Sequence, residues 1–469
     1  MSETKYDAKE LWQMDKDHVV HPYTNFSNQI EEGSQVIVEA NGAYIKDAAG
    51  KKLLDGIGGL WCVNIGHGRK EMADAIHAQV MQMQYYNPFG HTTNVPASRL
   101  AKKLSELTPG NLNHIFFVLG GSEANDAAVR FVHYYNNLRG LPQKKKIISR
   151  IDAYHGATYL VANLTGIQGT KVGFDNITGD LIHHISAANM YRRPAGAEEL
   201  DEESFCDFLV NEFENRILQL GANNVAAFIA EPLMGAGGVL VAPNGYHRRM
   251  HEVCKKYDML YIADEVVTGF GRLGEMFASE AIYGYTPDIL CIAKGLTSGY
   301  MPLGATIMSD EIHEVIRQGQ GEEGGLALGY TYTAHASSCA AALKNIEILE
   351  SEKICEHVKD VGPYLQSRTK ELLDLPIVGD VRGSHFMLGI ELVSNKETKE
   401  SFELAVGITN RVFKHGLEKG IVIRPVGNTI VLSPPLILSK EECDTIVKVL
   451  RESIEQTIVD LNNEGLFAI

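Results

Sequence analysis

The sequence predicts an α/β protein: a large domain with a mostly parallel sheet covered by helices on both faces, and a small α+β domain built from both chain ends. Three observations carry this. From about residue 70, short apolar runs alternate with longer amphipathic segments, the pattern of buried strands joined by helices. The runs at 115–119, 146–150, 225–230, 259–263 and 289–293 are bounded by turn residues and are too short for helices. After about residue 335 the alternation gives way to one long helical segment and then to closely spaced strands. The 469 residues divide accordingly into an N-terminal segment of the small domain (1–69), the large domain (70–335) and the C-terminal part of the small domain (336–469).

Each element has its own reason. Residues 7–18 read as a short helix with Leu11, Trp12 and Met14 on its apolar face. Residues 34–47 read as two strands joined by an Asn41-Gly42 turn, a strong hairpin signal. Helical periodicity over 70–84, 96–107, 122–138, 203–220 and 245–257 separates the apolar strands. A helix over 337–351 leads to strands near 377–382, 386–392, 421–424 and 429–432. Ser439-Lys440-Glu441-Glu442 is a capping box, and it opens a closing helix with apolar residues at 443, 446, 447, 450 and 454. A glycine-rich stretch from Gly319 to Gly329 is the one biased segment.

Composition narrows the function. Hydrophobic residues make up 45% and charged residues 22%, which is ordinary for a globular enzyme. A net charge of −16 argues against a nucleic-acid surface or an anionic membrane as partner. The seven cysteines are scattered, with no CxxC pair, so neither a zinc site nor a disulfide framework is expected. The first residues lack the apolar core of a signal peptide, and no run of about 18 apolar residues exists. The expected location is the cytoplasm.

Two strand ends carry the chemistry. Met259-Leu260-Tyr261-Ile262-Ala263 ends on Asp264, and Ile289-Leu290-Cys291-Ile292-Ala293 ends on Lys294. In open α/β sheets, ligands bind outside the carboxyl ends of the strands, so both groups face one crevice. Burial there lowers an amine's pKa, which a covalent lysine needs. A lysine amine together with a carboxylate under a pyridine nitrogen is what pyridoxal 5′-phosphate (PLP) chemistry requires. Each residue also has a plain alternative: an exposed strand end for Lys294, a cap or ion pair for Asp264. Gly120-Gly121-Ser122, between an apolar strand and a helix, form a phosphate cradle from backbone N–H groups, a hydroxyl and a helix N-terminus. Gly269-Phe270-Gly271-Arg272-Leu273-Gly274 fits a dinucleotide-binding pattern, but five residues separate it from its strand, whereas a nucleotide site puts the first glycine at the strand end.

Together these segments resemble the class III aminotransferases, within the fold-type I PLP-dependent transferases. The matching strings are GGSEANDAAVR (120–130), DAYHGAT (152–158), AAFIAEPLMGAGG (226–238), YIADEVVTGFGRLG (261–274), IAKGLTSGYMPLGA (292–305) and GYTYTAHASSCAAAL (329–343). The resemblance implies Lys294 as the lysine that holds PLP and moves the proton, and Asp264 as the partner of the pyridine nitrogen. It implies Val266 on one face of the ring and Tyr154 on the other, with Gly121 and Ser122 at the phosphate and Glu231 beside the cofactor. Tyr330 and Thr331 match a segment that reaches the phosphate of a neighbouring subunit, so a homodimer with shared active sites, or a tetramer, is implied. Two departures stand out: Gly120 where serine is common, and Ala334-His335-Ala336 for Gly-His-Pro. His155 is read as structural.

Within the family, DGIGGLWCVNIGHG (55–68), HPYTNF (21–26), YYNPFG (85–90) and IVIRPVGNTIVLSPPLIL (421–438) resemble the omega-transaminases that use pyruvate. They place Tyr23, Trp61, Phe89 and Tyr154 at substrate-pocket walls and Arg424 at a substrate carboxylate. The implied reaction moves an amino group from an amine or omega-amino acid to pyruvate by a ping-pong route. Use of 2-oxoglutarate (GABA or ornithine type), diaminopelargonate formation, an aminomutase and, remotely, an NAD-dependent dehydrogenase remain as alternatives. No metal is expected, and the partners are small amines, oxo acids and a second copy of the chain.

Overall fold

A computed structural model describes residues 6–175, 178–319 and 325–467; part of the glycine-rich stretch therefore lies outside the described residues. Seven strands form the central sheet: β1 (Leu112–Val118), β2 (Lys146–Arg150), β3 (Ile182–Ile185), β4 (Val225–Ala230), β5 (Leu260–Asp264), β6 (Ile289–Ile292) and β7 (Gly304–Ser309). Their spatial order is β1-β7-β6-β5-β4-β2-β3. β7 runs antiparallel to both neighbours and every other pair is parallel. Residues of β4, β5 and β6 are buried throughout, as the uninterrupted apolar runs require.

β3 and β7 are additional to the strands expected from sequence. β3 is Ile-His-His-Ile, with no long apolar run. β7 is Gly-Ala-Thr-Ile-Met-Ser, short and rich in small residues, yet it is completely buried. Its small side chains suit the place it fills. Thr306 donates to the carbonyl of Ala124 at 2.7 Å, joining β7 to the helix Gly121–Leu138. That helix turns Ala124, Ala127, Ala128, Phe131 and Val132 inward. The alanines permit close approach to Val118, Ile229, Ile262 and Cys291, while Phe131 and Val132 each contribute about 1.5–3 kcal/mol by burial.

The two chain ends meet in a second sheet. Strands Ile37–Asn41, Tyr44–Asp47 and Lys52–Asp55 are joined by Ile421–Val422, which runs parallel to Lys52–Asp55. The hairpin turn lies one residue later than expected: Asn41 still pairs with Tyr44, and Gly42-Ala43 make the turn. Gly42 alone of these has positive φ (57°), the type II′ pattern. A third sheet, antiparallel, runs Val378–Ser384, Met387–Asn395, Thr429–Leu432, Arg424–Val426. The closing helix Lys440–Asn463 begins with the expected capping box, Glu442 N–H to Ser439 Oγ at 3.2 Å and Ser439 N–H to Glu442 Oε2 at 2.9 Å. The N-terminal helix Ala8–His18 buries no residue within the chain.

Residues 269–274 form a packed corner rather than a nucleotide loop. Arg272 is fully buried and donates to the carbonyls of Phe386 and Pro434 and to Asn64. The next helix, Ala278–Ala281, is only four residues long. No strand–glycine–helix unit exists there to hold a pyrophosphate.

Candidate active site

Five strands deliver one group each to the same crevice. Gly121 and Ser122 follow β1, Tyr154 follows β2, Glu231 follows β4, Asp264 ends β5, and Lys294 follows β6. The parallel sheet thus brings together residues up to 173 positions apart in sequence.

Asp264 is 4% exposed and its carboxylate is held from three sides. Oδ2 accepts from Asn125 Nδ2 and from His155 Nδ1, both at 2.8 Å, and Oδ1 accepts from the Val266 N–H at 3.2 Å. Asn125 also donates to the His155 carbonyl at 2.7 Å, so the pair is rigid. Oδ1 retains a free acceptor direction. Sequence reasoning missed Asn125 and read His155 as structural. Both lie inside motif strings, but their bonds to Asp264 span 139 and 109 residues and have no spacing signal. Glu265 points the other way, as alternation on a strand demands. It accepts from the N–H groups of Ala278 and Ser279 at 2.7 and 2.8 Å.

Lys294 sits in left-handed backbone geometry, φ 43°, where the chain leaves β6 for a turn. Its side chain keeps some accessible surface. Burial pulls its pKa below the usual lysine range; Asp264, Cys62 and Glu231 act against that, and Arg424 pushes with it. Glu231, 5% exposed, is shifted the other way: burial raises its pKa, although its oxygens accept from the N–H groups of Tyr154 (3.0 Å) and Gly235 (2.8 Å).

The cradle at the start of helix Gly121–Leu138 is tight. A Cβ on Gly121 would lie 2.9 Å from Val266 Cγ1, so only glycine lets the helix start meet the loop after β5. Ser122 Oγ accepts from Ala157 N–H at 3.1 Å, which leaves its own proton free to donate. A Cβ on Gly156 would lie 2.6 Å from that oxygen. The helix has no side-chain cap from Gly120, and although the Glu123 carboxylate accepts from the backbone of Glu123 and Gly120, the N–H groups of Gly121 and Ser122 are left for an anion. An anion cradle, a buried carboxylate with a free acceptor direction and a depressed amine match phosphate, ring nitrogen and aldehyde of PLP in kind. The residues fit the group.

Next to this floor lie residues that the resemblance assigns to the substrate. The Tyr23 and Tyr154 hydroxyls are 3.2 Å apart. Burial and the bond to Tyr23 raise the Tyr154 pKa, so its phenol stays neutral. Arg424 is half-buried; its Nε has no hydrogen-bond partner, and no carboxylate pairs with it among the described residues. Burial lowers its pKa, and the two tyrosines oppose this. Trp61 is 4% exposed, packed with Leu233, Val239, Met387 and Val431, and its ring edge lies by Gly235.

Three expected residues form a separate group. A Cβ on Gly329 would lie 2.7 Å from the Phe89 ring, the Tyr85 hydroxyl donates to the Thr331 carbonyl at 2.6 Å, and Tyr330 packs against Phe116. Among the described residues, no hydrogen bond or ion pair joins Phe89, Tyr330 or Thr331 to the Lys294 group.

Comparison with known proteins accords with this geometry. Residues 27–454 match the family model described as aminotransferase class-III. The putrescine–pyruvate aminotransferase of Pseudomonas aeruginosa is 42% identical over 456 residues, covering 97% of this chain and 98% of that protein. An (S)-enantioselective omega-transaminase from Thermomicrobium roseum superposes with a TM-score of 0.93 at 39% identity, covering 97% of this chain and 99% of that one. The omega-transaminase from Pseudomonas jessenii, solved in complex with PMP, has a TM-score of 0.93 at 36% identity, covering 98% and 100%.

Proposed function

The chain belongs to the class III aminotransferases and is a PLP-dependent enzyme, and from that premise we propose that it transfers an amino group from an amine or omega-amino acid to pyruvate. The observation that carries the acceptor is Arg424, a half-buried guanidinium without a carboxylate partner, beside the two tyrosine hydroxyls. A guanidinium pairs bidentately with a carboxylate. The other arginines near the crevice are committed: Arg150 to the Glu231 carbonyl, Arg272 to three acceptors, Arg382 to Asp380 and Glu391. Among the described residues around the crevice, Arg424 is the arginine whose guanidinium makes no hydrogen bond. One such cation suits the single carboxylate of pyruvate, whereas 2-oxoglutarate carries two.

When bound, PLP supplies an aldehyde that takes up the amino group and a ring that absorbs negative charge. Gly121 and Ser122 would hold its phosphate, Val266 and Tyr154 would flank its ring, and Asp264 would keep a proton at the ring nitrogen. Lys294 Nζ, whose pKa burial lowers, would hold the aldehyde carbon and would be the base for the proton on the substrate carbon bearing the amino group. Trp61, Tyr23 and Tyr154 wall the substrate, and Arg424 pairs with the oxo acid and leaves room when the amine binds.

The second group of residues serves a partner copy in this reading. Met81, Tyr86, Phe89 and Tyr332 are each more than half exposed, and such apolar surface is the mark of an interface. A homodimer would bring Thr331 and Phe89 to the neighbouring site. No helix among the described residues is long and apolar enough to cross a membrane, and the seven free cysteines suit a reducing cytoplasm. The test is a donor panel, including putrescine, run in parallel against pyruvate and 2-oxoglutarate. Pyruvate should be preferred by tenfold or more in kcat/KM, about 1.4 kcal/mol; a preference for 2-oxoglutarate would overturn the acceptor while leaving the PLP site intact.

A further inference from the structure

We infer that Arg382 and Gly389 are positioning residues for Arg424, setting how far its guanidinium stands from the cofactor floor. The inference rests on Arg424 receiving the acceptor carboxylate. Four residues form one rung across the C-terminal antiparallel sheet: Arg382 opposite Gly389, Gly389 opposite Val431, and Val431 opposite Arg424. Directly opposed residues in antiparallel strands share a face. All four therefore look toward the same side, and that side meets the loop following Glu231.

The contacts along the rung are close. Arg382 Nε donates to the Gly238 carbonyl at 2.9 Å, and its Nη2 donates to Thr429 at 3.2 Å. At Gly389 a Cβ would lie 2.9 Å from the Gly238 oxygen and 3.1 Å from Val239 Cβ, so sheet and loop touch backbone to backbone. Val431 shares an apolar cluster with Trp61, Leu233 and Val239. The loop is in turn tied to the floor, since Gly235 N–H and Tyr154 N–H both donate to the Glu231 carboxylate. Three members of the rung thus rest on the floor's own loop, and the fourth is Arg424.

Arg382 cannot drift. Its Nη1 reaches Glu391 Oε2 at 2.5 Å and Asp380 Oδ2 at 3.0 Å, with the side chain 10% exposed. Glu391 also pairs with Arg192, beyond the end of β3. With its Arg382–Glu391 pair nearly dry, this charge cluster holds the sheet as a plate, whereas Arg424 projects from the plate with a free Nε. Productive recognition tolerates misplacement of only about 0.5 Å. A methyl group at Gly389 meets backbone, which cannot turn aside, and must lift the plate by several tenths of an ångström.

The test separates the half-reactions in single turnover, the amine with the PLP form of the enzyme and pyruvate with the pyridoxamine phosphate form, with thermal unfolding followed alongside. The variants are Gly389→Ala, Arg382→Met and the milder Arg382→Lys, with Arg424→Met as reference. Binding of propionate, a carboxylate with no carbonyl to react, is measured by calorimetry. Gly389→Ala and Arg382→Met should weaken pyruvate and propionate about tenfold or more, with the amine half-reaction within twofold of the parent. Arg382→Lys should show a smaller loss of the same kind. Equal loss in both half-reactions, or unchanged propionate binding in variants that melt like the parent, overturns the inference. If Arg424→Met itself leaves pyruvate and propionate untouched, the carboxylate reading falls as well; if only Arg424→Met acts, that reading stands and this inference fails alone.

Discussion

The floor and the rim of the site are built on opposite principles. On the floor, Asp264 is 4% exposed and Glu231 5%, and each carboxylate is held by at least two donors. On the rim, Tyr23 is 71% exposed and Arg424 lacks a partner for its Nε. The floor must do the same chemistry on every substrate, and fixed groups that need no rearrangement stabilise developing charge best. The rim must accept an amine and then an oxo acid in one pocket, and a long side chain with free donors can do both.

Variants that separate floor from rim sharpen this contrast. The largest effect belongs to Lys294→Ala, which should lower both half-reactions by about 10⁴-fold and abolish the visible absorption of the bound cofactor. Asp264→Asn should come next, at about 10²–10³-fold on both half-reactions, with the fold retained in circular dichroism. Gly121→Ala should weaken PLP binding by about 1–3 kcal/mol, because its methyl group meets Val266. Val266→Ala in the same chain should recover part of that loss, as read by cofactor titration of the apo-protein.

The smallest effect is a shift along the pH axis. The Lys294 pKa is lowered, so its neutral form is present below the ordinary lysine pKa of about 10.4. The rate of PLP capture should rise as pH climbs through the lowered value and level off before the ordinary one. Asp264 acts to raise that pKa, so Asp264→Asn should move the midpoint to lower pH. A shift upward would show that the two groups do not sense each other.

Legibility in the sequence followed the same division. Floor residues lie at the ends of apolar strands, where hydrophobic pattern and topology locate a crevice without coordinates, and motif strings supply the chemistry. Asn125 escaped, and the tie of His155 to Asp264 went unseen, because these bonds join residues 139 and 109 positions apart. β7 escaped because small residues filling a narrow gap leave little hydrophobic signal. Rim residues were nameable only by resemblance. Trp61, Tyr23 and Arg424 come from three distant segments, and nothing local in Ile423-Arg424-Pro425 marks a free guanidinium. The rung from Arg382 to Arg424 depends on strand register, which periodicity alone does not fix.

The division of labour is tested most directly by both half-reactions of Arg424→Met in single turnover. The expected result is an amine half-reaction close to the parent's and a pyruvate half-reaction slowed by about a hundredfold at low pyruvate, the loss of a buried bidentate pair. Equal slowing of both would place Arg424 in the floor's machinery, and an unchanged pyruvate rate would remove it from substrate recognition altogether.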